Sequence, residues 1–554
     1  MSATSATTDD PAPTKGGKSG FLDWIERVGN KVPSPAIMFL YLILFIIVLS
    51  AVLAAFGIKV TDEVVTPVPK QQLEYLRDAL GGSIVPYDVR TLQPVELPDY
   101  TVSTETFAVQ SLLSVEGIRF MFSSFVPNFA GFGVVAVTLI AMAGVGVAER
   151  AGMMGALIRK LVAVAPAGLV AFAIILVGVL SSVASDAGYL ILIPLGAAAF
   201  LSVGRHPLAG IAAAFAGVSA IFAVNILITP IDSMLNELTN EAIGSGGAPL
   251  TITANYYFSV ASSVVLALVA AVVTARIIEP RLGPYDPAQA GEDRTVEEVD
   301  QDSEKRGLRY AGFGLLGVVV VIGALSLPPG APLREPETGA LIGTTPLMDS
   351  LIFIIALAFL VCGFCYGRGA RTLTTADDVV AAISKTYAGL GGLLLMFLMI
   401  AQFIAFFNYT NMPRVAAVEA AQALERASVP AVVLLVAMIL VLAVINIILP
   451  GVVPKWAIFA PVFIPIFTRL GVAPQTVLAA YRVGDGPTNV LTPLMVYLPF
   501  IVTIAQRYKK DAGIGTIIAL MIPYTVALLL AWIVLFVLWF WLGIPLGPDS
   551  PINI

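Results

Sequence analysis

Four ionisable side chains lie within apolar stretches of the chain: Asp186, Lys455, Arg482 and Asp485. A charge at the centre of a membrane helix costs roughly 2.5 to 3.5 kcal/mol on insertion scales, so each one needs a chemical reason. Arg482 and Asp485 are three residues apart, which places them on one face of a helix, where they can form an ion pair. Such a pair could be purely structural. We favour a functional interpretation, in which Arg482 binds a substrate carboxylate and Asp485 orients it, because apolar residues would serve structure at lower cost.

Asp186 lies in the stretch SSVASDAGYLILIPL, between serine and alanine. One interpretation is a helix cap, in which the carboxylate accepts hydrogen bonds from free backbone N–H groups of the following helix. The other is a carboxylate that lines a water-filled cavity, where it binds a cation or carries a proton. Both interpretations stay open at the level of the sequence.

Two asparagines, Asn225 and Asn489, precede Thr-Pro steps, where proline leaves backbone carbonyl groups without a hydrogen-bond partner. Carbonyl, amide and hydroxyl oxygens are hard ligands of the kind that suit Na⁺. The candidate cation ligands are Ser182, Ser185, Asn225, Thr488 and Asn489. The alternative is that the asparagines satisfy the backbone of the broken helices themselves.

Trp456 follows Lys455 in the stretch PKWAIFAP, and both are candidate transport residues. The indole ring is either a stacking wall for an aromatic ligand or an anchor at the membrane interface. The two cysteines, Cys362 and Cys365, are too few ligands for zinc and are expected to pack in the interior. No cofactor is indicated, and the coupling ion is expected to be Na⁺ or H⁺.

The composition indicates an integral membrane protein. The chain has 554 residues, of which 58% are hydrophobic and 12% charged, with a mean hydropathy of +0.90, whereas a soluble domain has about 25% charged residues. The net charge of −6 comes mostly from loops and gives no reason to expect a nucleic-acid partner.

A transmembrane helix needs about 20 mostly apolar residues. The charge-poor stretches that meet this rule are 35–57, 129–149, 207–230, 256–278, 309–327, 348–366, 388–407, 474–505 and 515–543. Two further apolar regions, 166–203 and 429–468, are interrupted by polar, Gly or Pro residues and are predicted to form re-entrant hairpins. The predicted fold class is therefore an all-α integral membrane protein with nine transmembrane helices and two re-entrant helical hairpins.

The distribution of Lys and Arg predicts the orientation. Most of these residues fall in segments that lie inside if the N-terminus is cytoplasmic. The predicted divisions are a disordered cytoplasmic tail (1–34), a first half (35–280) with a large external segment (58–128), a charged cytoplasmic linker (281–308) and a second half (309–554).

The two halves share an ordered series of motifs. A Gly-x-x-Pro step, an Ala-Ala pair and an Asn-to-Pro motif begin at positions 204, 212 and 225 in the first half and at 471, 479 and 489 in the second. The two copies are predicted to enter from opposite membrane faces. This pattern indicates an inverted-topology repeat, typical of secondary transporters with a midplane site between broken helices.

Four stretches resemble the AbgT family of bacterial p-aminobenzoyl-glutamate transporters: SSVASDAGYLILIPL, PKWAIFAPVFIPIF, AAYRVGDGPTNVLTPLMVYLPF and AQRYKKDAGIGTIIALMIPY. The resemblance covers nearly the whole chain and implies a dimeric inner-membrane protein with nine transmembrane helices and two hairpins. It implies a substrate with an aromatic ring and a glutamate tail, cation-driven uptake and, in some members, export of sulfonamide drugs. The positions that match those used for transport in the family are Asp186, Trp456, Pro474, Arg482, Asp485 and Pro493.

Three motifs depart from the family pattern. The second hairpin tip reads PGVVPKW where the family usually has Ser-Ala-Lys-Trp, GDGPTN has Gly486 in place of a serine, and FAVN replaces a more usual Ser-Ala-Asn. The departures remove hydroxyl groups near the predicted substrate and cation sites.

The resulting hypothesis is a cation-coupled secondary transporter of p-aminobenzoyl-glutamate, or a related aromatic carboxylate, that works by alternating access. One alternative is a proton-driven exporter of sulfonamide-type antimetabolites. A remote alternative is an intramembrane aspartyl hydrolase that uses Asp186 and Asp485. A channel is disfavoured because the sequence has no repeated selectivity filter.

Overall fold

The computed structural model describes residues 35–67, 100–164, 166–184, 188–244, 247–287, 300–342, 345–427, 429–449, 451–492 and 494–554. The predicted cytoplasmic tail lies outside these ranges, as do residues 288–299 of the predicted linker.

The first half of the described chain consists of helices and a two-stranded sheet. Strands β1 (Lys59–Pro67) and β2 (Tyr100–Ala108) pair antiparallel, with Lys59 opposite Ala108. The helices are α1 (Pro35–Ala55), α2 (Val115–Ala130), α3 (Gly133–Arg150), α4 (Met153–Ala163), α5 (Val170–Ser181), α6 (Ile193–Ser202), α7 (Pro207–Phe215), α8 (Pro230–Ile243), α9 (Tyr256–Val273) and α10 (Glu279–Leu282).

The second half consists of helices joined by turns and irregular segments. Its helices are α11 (Gln301–Ser326), α12 (Pro346–Asp349), α13 (Leu351–Ala370), α14 (Ala376–Gly389), α15 (Gly391–Tyr409), α16 (Met412–Ala427), α17 (Ala431–Ile448), α18 (Val452–Arg469), α19 (Pro474–Asp485), α20 (Leu498–Gln506) and α21 (Ile514–Leu542).

Nine helical stretches within the described ranges are long and apolar enough to cross a membrane. They are Pro35–Ala55, Val115–Arg150, Tyr256–Leu282, Gln301–Ser326, Leu351–Ala370, Gly391–Tyr409, Ala431–Ile448, Val452–Arg469 and Ile514–Leu542. The chain is therefore a multi-pass membrane protein. The nine are not the same nine that the sequence predicted, because 207–230 and 474–505 are absent and the region 429–468 supplies two.

The predicted spans at 207–230 and 474–505 are each broken in the middle. The first consists of α7, a short π turn to Ala220 and an irregular segment that ends where α8 begins at Pro230. The second consists of α19, which ends at Asp485, an irregular segment and α20. Proline lacks the N–H that a continuing helix requires, so Pro230 and Pro487 favour a break at these positions.

The two predicted hairpin regions differ in helix length. In the first, α5 has 12 residues, which is about 18 Å of helix and too short to cross a hydrocarbon core of about 30 Å. In the second, α17 and α18 have 18 residues each, or about 27 Å. Re-entry from one membrane face stays a prediction for both regions.

Part of the predicted external segment is helical. Residues 115–128 lie in α2, and α2 and α3 together form one apolar stretch of 36 residues. Large apolar side chains of α2 are exposed, Phe122 by 83% and Val126 by 73%. These residues are helical and apolar, and their position outside the membrane stays a prediction.

Glycine permits one close crossing of backbones near the predicted site. A Cβ added at Gly217, in the turn after α7, would lie 2.5 Å from the carbonyl oxygen of Ile175 in α5. We expect Gly217→Ala to lower the free energy of unfolding by about 1 to 3 kcal/mol, since the backbones must separate. Unfolding in a denaturing detergent measures this change in the free energy of unfolding. Gly312→Ala in α11, where nothing lies within 4 Å, is the control, and equal effects of the two changes would contradict the crossing.

Candidate transport site

Helix α19 carries the central part of the predicted site and is buried along nearly its whole length. All its residues from Gln475 to Asp485 are buried, and the helix packs against α17, α18, α8 and α21. Pro474 occupies the first helical turn, where its missing N–H is not needed. Because α19 is surrounded by protein, its charged side chains need partners on neighbouring helices.

Arg482 is bound to the first half of the chain. Its Nη1 donates to Oδ1 of Asp232 at 2.5 Å and to the carbonyl oxygen of Ala223 at 2.6 Å. Arg482 is 2% exposed, and Ala223, in the irregular segment before α8, has the unusual φ of 71° for a residue other than glycine. The predicted ion pair between Arg482 and Asp485 is wrong, because the long guanidinium side chain extends away from Asp485 towards α8.

Asp485 instead pairs with Lys455 of α18. The distance from Lys455 Nζ to Asp485 Oδ1 is 2.6 Å, and both side chains are 1% exposed. Lys455 also donates to Oδ1 of Asn446 in α17, and the Tyr481 hydroxyl lies 3.4 Å from Asp485 Oδ1. The second carboxylate oxygen of Asp485 is buried and has no hydrogen-bond partner among the residues that the structure describes.

Asn446 connects this ion pair to the candidate cation ligands of the second half. Its Nδ2 lies 2.9 Å from Thr488 Oγ1, 2.8 Å from Asn489 Oδ1 and 2.5 Å from the carbonyl oxygen of Asp485. Asn446 is completely buried. The side-chain oxygens of Thr488 and Asn489, which are candidate cation ligands, thus contact the Asn446 amide nitrogen. The amide oxygen of Asn446 accepts a hydrogen bond from the Lys455 ammonium group.

Asn225 holds the first broken helix together. Its Nδ2 donates to the carbonyl oxygen of Val179 at 2.8 Å and to Ser182 Oγ at 2.9 Å, and its Oδ1 accepts from Leu227 N at 2.9 Å. Its backbone N–H and carbonyl both bond Ser259 Oγ, at 2.9 and 3.0 Å. These contacts match the interpretation in which asparagine satisfies the broken backbone.

Trp456 is fully buried beside the ion pairs. Its Nε1 donates to Thr239 Oγ1 of α8 at 2.9 Å, and its ring centroid lies 4.5 Å from that of Tyr481. Complete burial is incompatible with an anchor at the membrane surface, so the alternative of an interface anchor is wrong. The role of Trp456 in stacking on an aromatic ligand stays a prediction.

Three of the predicted site residues, Ser185, Asp186 and Pro493, lie outside the described residues. Pro474 is half-buried and lines a cavity of about 1690 Å³ together with Gln475 and Thr468. Arg482 does not line this cavity. It lies eight residues further along α19, or about 12 Å. The cavity therefore reaches the beginning of the helix whose other end carries the charged residues.

Two site residues were not predicted from the sequence. Asp232 follows Thr229 at the spacing of a capping box, and both reciprocal hydrogen bonds of that box are present; the Thr-x-x-Asp pattern was the available signal. Asn446 is the single amide in the apolar run of α17, and a polar side chain there needs a partner.

The arrangement is two ion pairs, Lys455 with Asp485 and Arg482 with Asp232, that connect three helices, α8, α18 and α19. Among the described residues, no group of three or more His, Cys, Asp or Glu side chains could hold a metal ion. The chemistry that this site offers is recognition of charge by arginine and lysine beside an aromatic ring.

Comparison with known proteins decides the class of this site. Residues 20–554 match the family described as "AbgT putative transporter family". The chain belongs to the AbgT family. It is 31% identical over 540 residues to the p-aminobenzoyl-glutamate transport protein of Escherichia coli strain K12, covering 97% of both chains. AbgT proteins are transporters, so the hydrolase alternative does not hold.

Two solved AbgT structures are similar to this chain. The YdaH transporter of Alcanivorax borkumensis is 36% identical with a TM-score of 0.81, over 93% of this chain and 100% of that one. MtrF of Neisseria gonorrhoeae, described as illuminating a class of antimetabolite efflux pumps, is 37% identical with a TM-score of 0.82, over 96% of this chain and 100% of that one.

Proposed function

We propose that this AbgT protein is a secondary active transporter of p-aminobenzoyl-glutamate or a related aromatic carboxylate, coupled to a cation and working by alternating access. The observation that carries the proposal is Arg482, an arginine that is 2% exposed in the middle of a broken-helix region. A guanidinium group suits a carboxylate because its planar fork matches the two carboxylate oxygens.

The surroundings of Arg482 support an aromatic ligand. Trp456 and Tyr481 lie beside the ion pairs, with ring centroids 4.5 Å apart. Aromatic rings favour offset or tilted contacts with other rings. A ligand with a ring and a carboxylate would therefore use Trp456 for the ring and Arg482 for the charge, and Lys455 would be available to a second carboxylate if Asp485 moved away.

Export of antimetabolites is the second candidate function. It is favoured by the likeness to MtrF, at 37% identity over 96% of this chain. Uptake and export use the same alternating-access cycle in opposite directions, so the same residues serve both.

We propose an inverted-topology repeat as the architecture. The support is that each hairpin region is followed by a helix broken near its middle, between α7 and α8 in the first half and between α19 and α20 in the second. In this proposal the domain with both hairpins moves against a scaffold that forms a homodimer, in a bacterial inner membrane with the N-terminus in the cytoplasm.

We propose that the coupling cation binds at the first break, near Ser182 and Asn225, with Ser185 and Asp186 as further ligands. The reason is that the oxygens of Thr488 and Asn489 at the second break already contact Asn446, which receives the Lys455 ammonium. These two oxygens already accept hydrogen bonds from the Asn446 amide group, and the positive charge of the neighbouring Lys455 ammonium would repel Na⁺.

Uptake into proteoliposomes tests the proposed function. We expect labelled p-aminobenzoyl-glutamate to accumulate when a Na⁺ gradient or a proton gradient is imposed, because a coupled carrier uses the ion gradient to concentrate its substrate. Comparison of the two gradients identifies the coupling ion, and protein-free liposomes are the control. Absence of accumulation under both gradients would contradict this substrate. Accumulation of a sulfonamide in inverted vesicles alone would favour export.

A further inference from the structure

The carboxylate of Asp232 has two separate tasks. Its Oδ2 accepts from the backbone N–H and the hydroxyl of Thr229, both at 2.8 Å, which begins α8 with a capping box. Its Oδ1 lies 2.5 Å from Arg482 Nη1. The cap uses one oxygen, and the other binds the arginine proposed to recognise substrate. Asp232 thus presents to Arg482 the same chemical group that the substrate would present.

The contact between Arg482 and Asp232 uses only part of the guanidinium group. Nη1 serves both Asp232 and the Ala223 carbonyl, while Nε is buried and has no hydrogen-bond partner in the described part of the chain. Arginine has five N–H donors in a fork that a carboxylate can engage at two points. A pair selected for stability alone would use that fork, because an unpaired buried donor is unfavourable.

We propose that Asp232 is a resident carboxylate that occupies Arg482 in the empty carrier and is displaced by the carboxylate of the substrate. This inference rests on the proposed function. The substrate engages the guanidinium fork through Nε as well, and Asp232 keeps its hydrogen bonds to Thr229. Asp232 is therefore a specificity-determining residue, since a neutral ligand cannot replace it at Arg482.

Displacement of Asp232 by the substrate would also affect the contact between helices α8 and α19. Asp232 is the third residue of α8, and α8 packs against α18 and α3. Release of Arg482 from Asp232 removes the ion pair that joins α8 to α19. Substrate binding and loosening of the contact between the two halves are then one event.

A binding measurement with Asp232→Asn tests the inference. Asparagine keeps an oxygen for the Thr229 cap but removes the charge that competes for Arg482. We expect purified Asp232→Asn to bind p-aminobenzoyl-glutamate about tenfold more tightly than the unchanged protein in calorimetric titration, which is the gain when a competitor that holds nine of ten molecules is removed. Benzoate should gain in the same way, and benzamide, which has the same shape without the charge, should not.

The chain provides a matched control in a second capping box. Oδ2 of Asp378, in the first turn of α14, accepts hydrogen bonds from the backbone N–H groups of Thr374 and Thr375, both at 2.8 Å. These hydrogen bonds lower the pKa of Asp378 to about 2. Asp378→Asn therefore removes one capping charge on α14, a helix that packs against α3 and α15, and we expect it to leave the affinities for all three ligands unchanged. If Asp232→Asn does not fold, Asp232→Ser, which keeps a short oxygen side chain, replaces it.

Each outcome separates the inference from the proposed function. Normal binding by the unchanged protein with no gain in Asp232→Asn overturns the inference and leaves the function standing. Loss of binding in Asp232→Asn also overturns it, because Asp232 would then assist the substrate. If the unchanged protein binds none of the carboxylates but Asp232→Asn binds benzoate, the inference holds and the proposed substrate fails. If neither protein binds a carboxylate, both fail.

Discussion

Uptake of p-aminobenzoyl-glutamate is expected to fall by about 30-fold or more in Arg482→Ala, because loss of a buried charged partner costs about 2 to 5 kcal/mol of binding. The protein should still fold, since Asp232 keeps its hydrogen bonds to Thr229 and is 13% exposed. Arg482→Lys keeps the charge but loses the planar fork, so its rate of uptake should lie between that of the unchanged protein and that of Arg482→Ala. Initial rates of uptake into proteoliposomes, at equal amounts of reconstituted protein, measure the effect.

The control for Arg482→Ala is an arginine in an ion pair away from the site. Arg205 pairs with Glu279, and their side chains are 21% and 24% exposed. Arg205→Ala removes one salt bridge of the same kind and should leave uptake essentially unchanged. Undiminished uptake by Arg482→Ala, with a normal elution profile in gel filtration, would remove Arg482 from the substrate site.

Lys455→Met is expected to lower the free energy of unfolding by about 3 to 5 kcal/mol, because it leaves the Asp485 carboxylate charged and buried without its partner. Both side chains are 1% exposed and 2.6 Å apart, and one oxygen of Asp485 already has no partner among the described residues. Unfolding in a denaturing detergent, followed by circular dichroism, measures the change.

A second substitution separates the charge from the packing. Lys455→Met with Asp485→Asn removes both charges, so most of the lost stability should return. Lys305→Met is the surface control, because Lys305 lies 3.8 Å from Asp302 and the two side chains are 74% and 95% exposed; its cost should be under about 1 kcal/mol. A loss in Lys455→Met no larger than that in Lys305→Met would show that Asp485 is not held by Lys455.

Local sequence patterns predicted where one helix begins but not that the predicted span before it is broken. The Thr-Pro step at Pro230 marked a place where helical hydrogen bonds must stop, and α8 does begin there. The same step was also counted as the end of one continuous span, because apolar composition alone does not show that a helix stops midway. Apolar composition in 429–468 likewise did not give the lengths of its two helices, which have 18 residues each.

The partners of the charged residues were beyond the reach of local spacing. Arg482 and Asp485 are close along α19, but each of them pairs with a side chain of another helix. Which helix lies there depends on the packing of α8 and α18 around α19, and no pattern within one segment specifies it. Asp232 was overlooked because it falls between two predicted spans, although the capping-box signal was present in the sequence.

The pairing of the four buried charges has an electrical consequence. Lys455 with Asp485 and Arg482 with Asp232 contribute two positive and two negative charges, so the two pairs together have no net charge. Each elementary charge that crosses a membrane potential is worth about 2.3 kcal/mol per 100 mV. A pair that stays together and moves as one unit therefore carries no net charge through the membrane potential, and the charge moved in a transport cycle comes from the substrate and its accompanying ions.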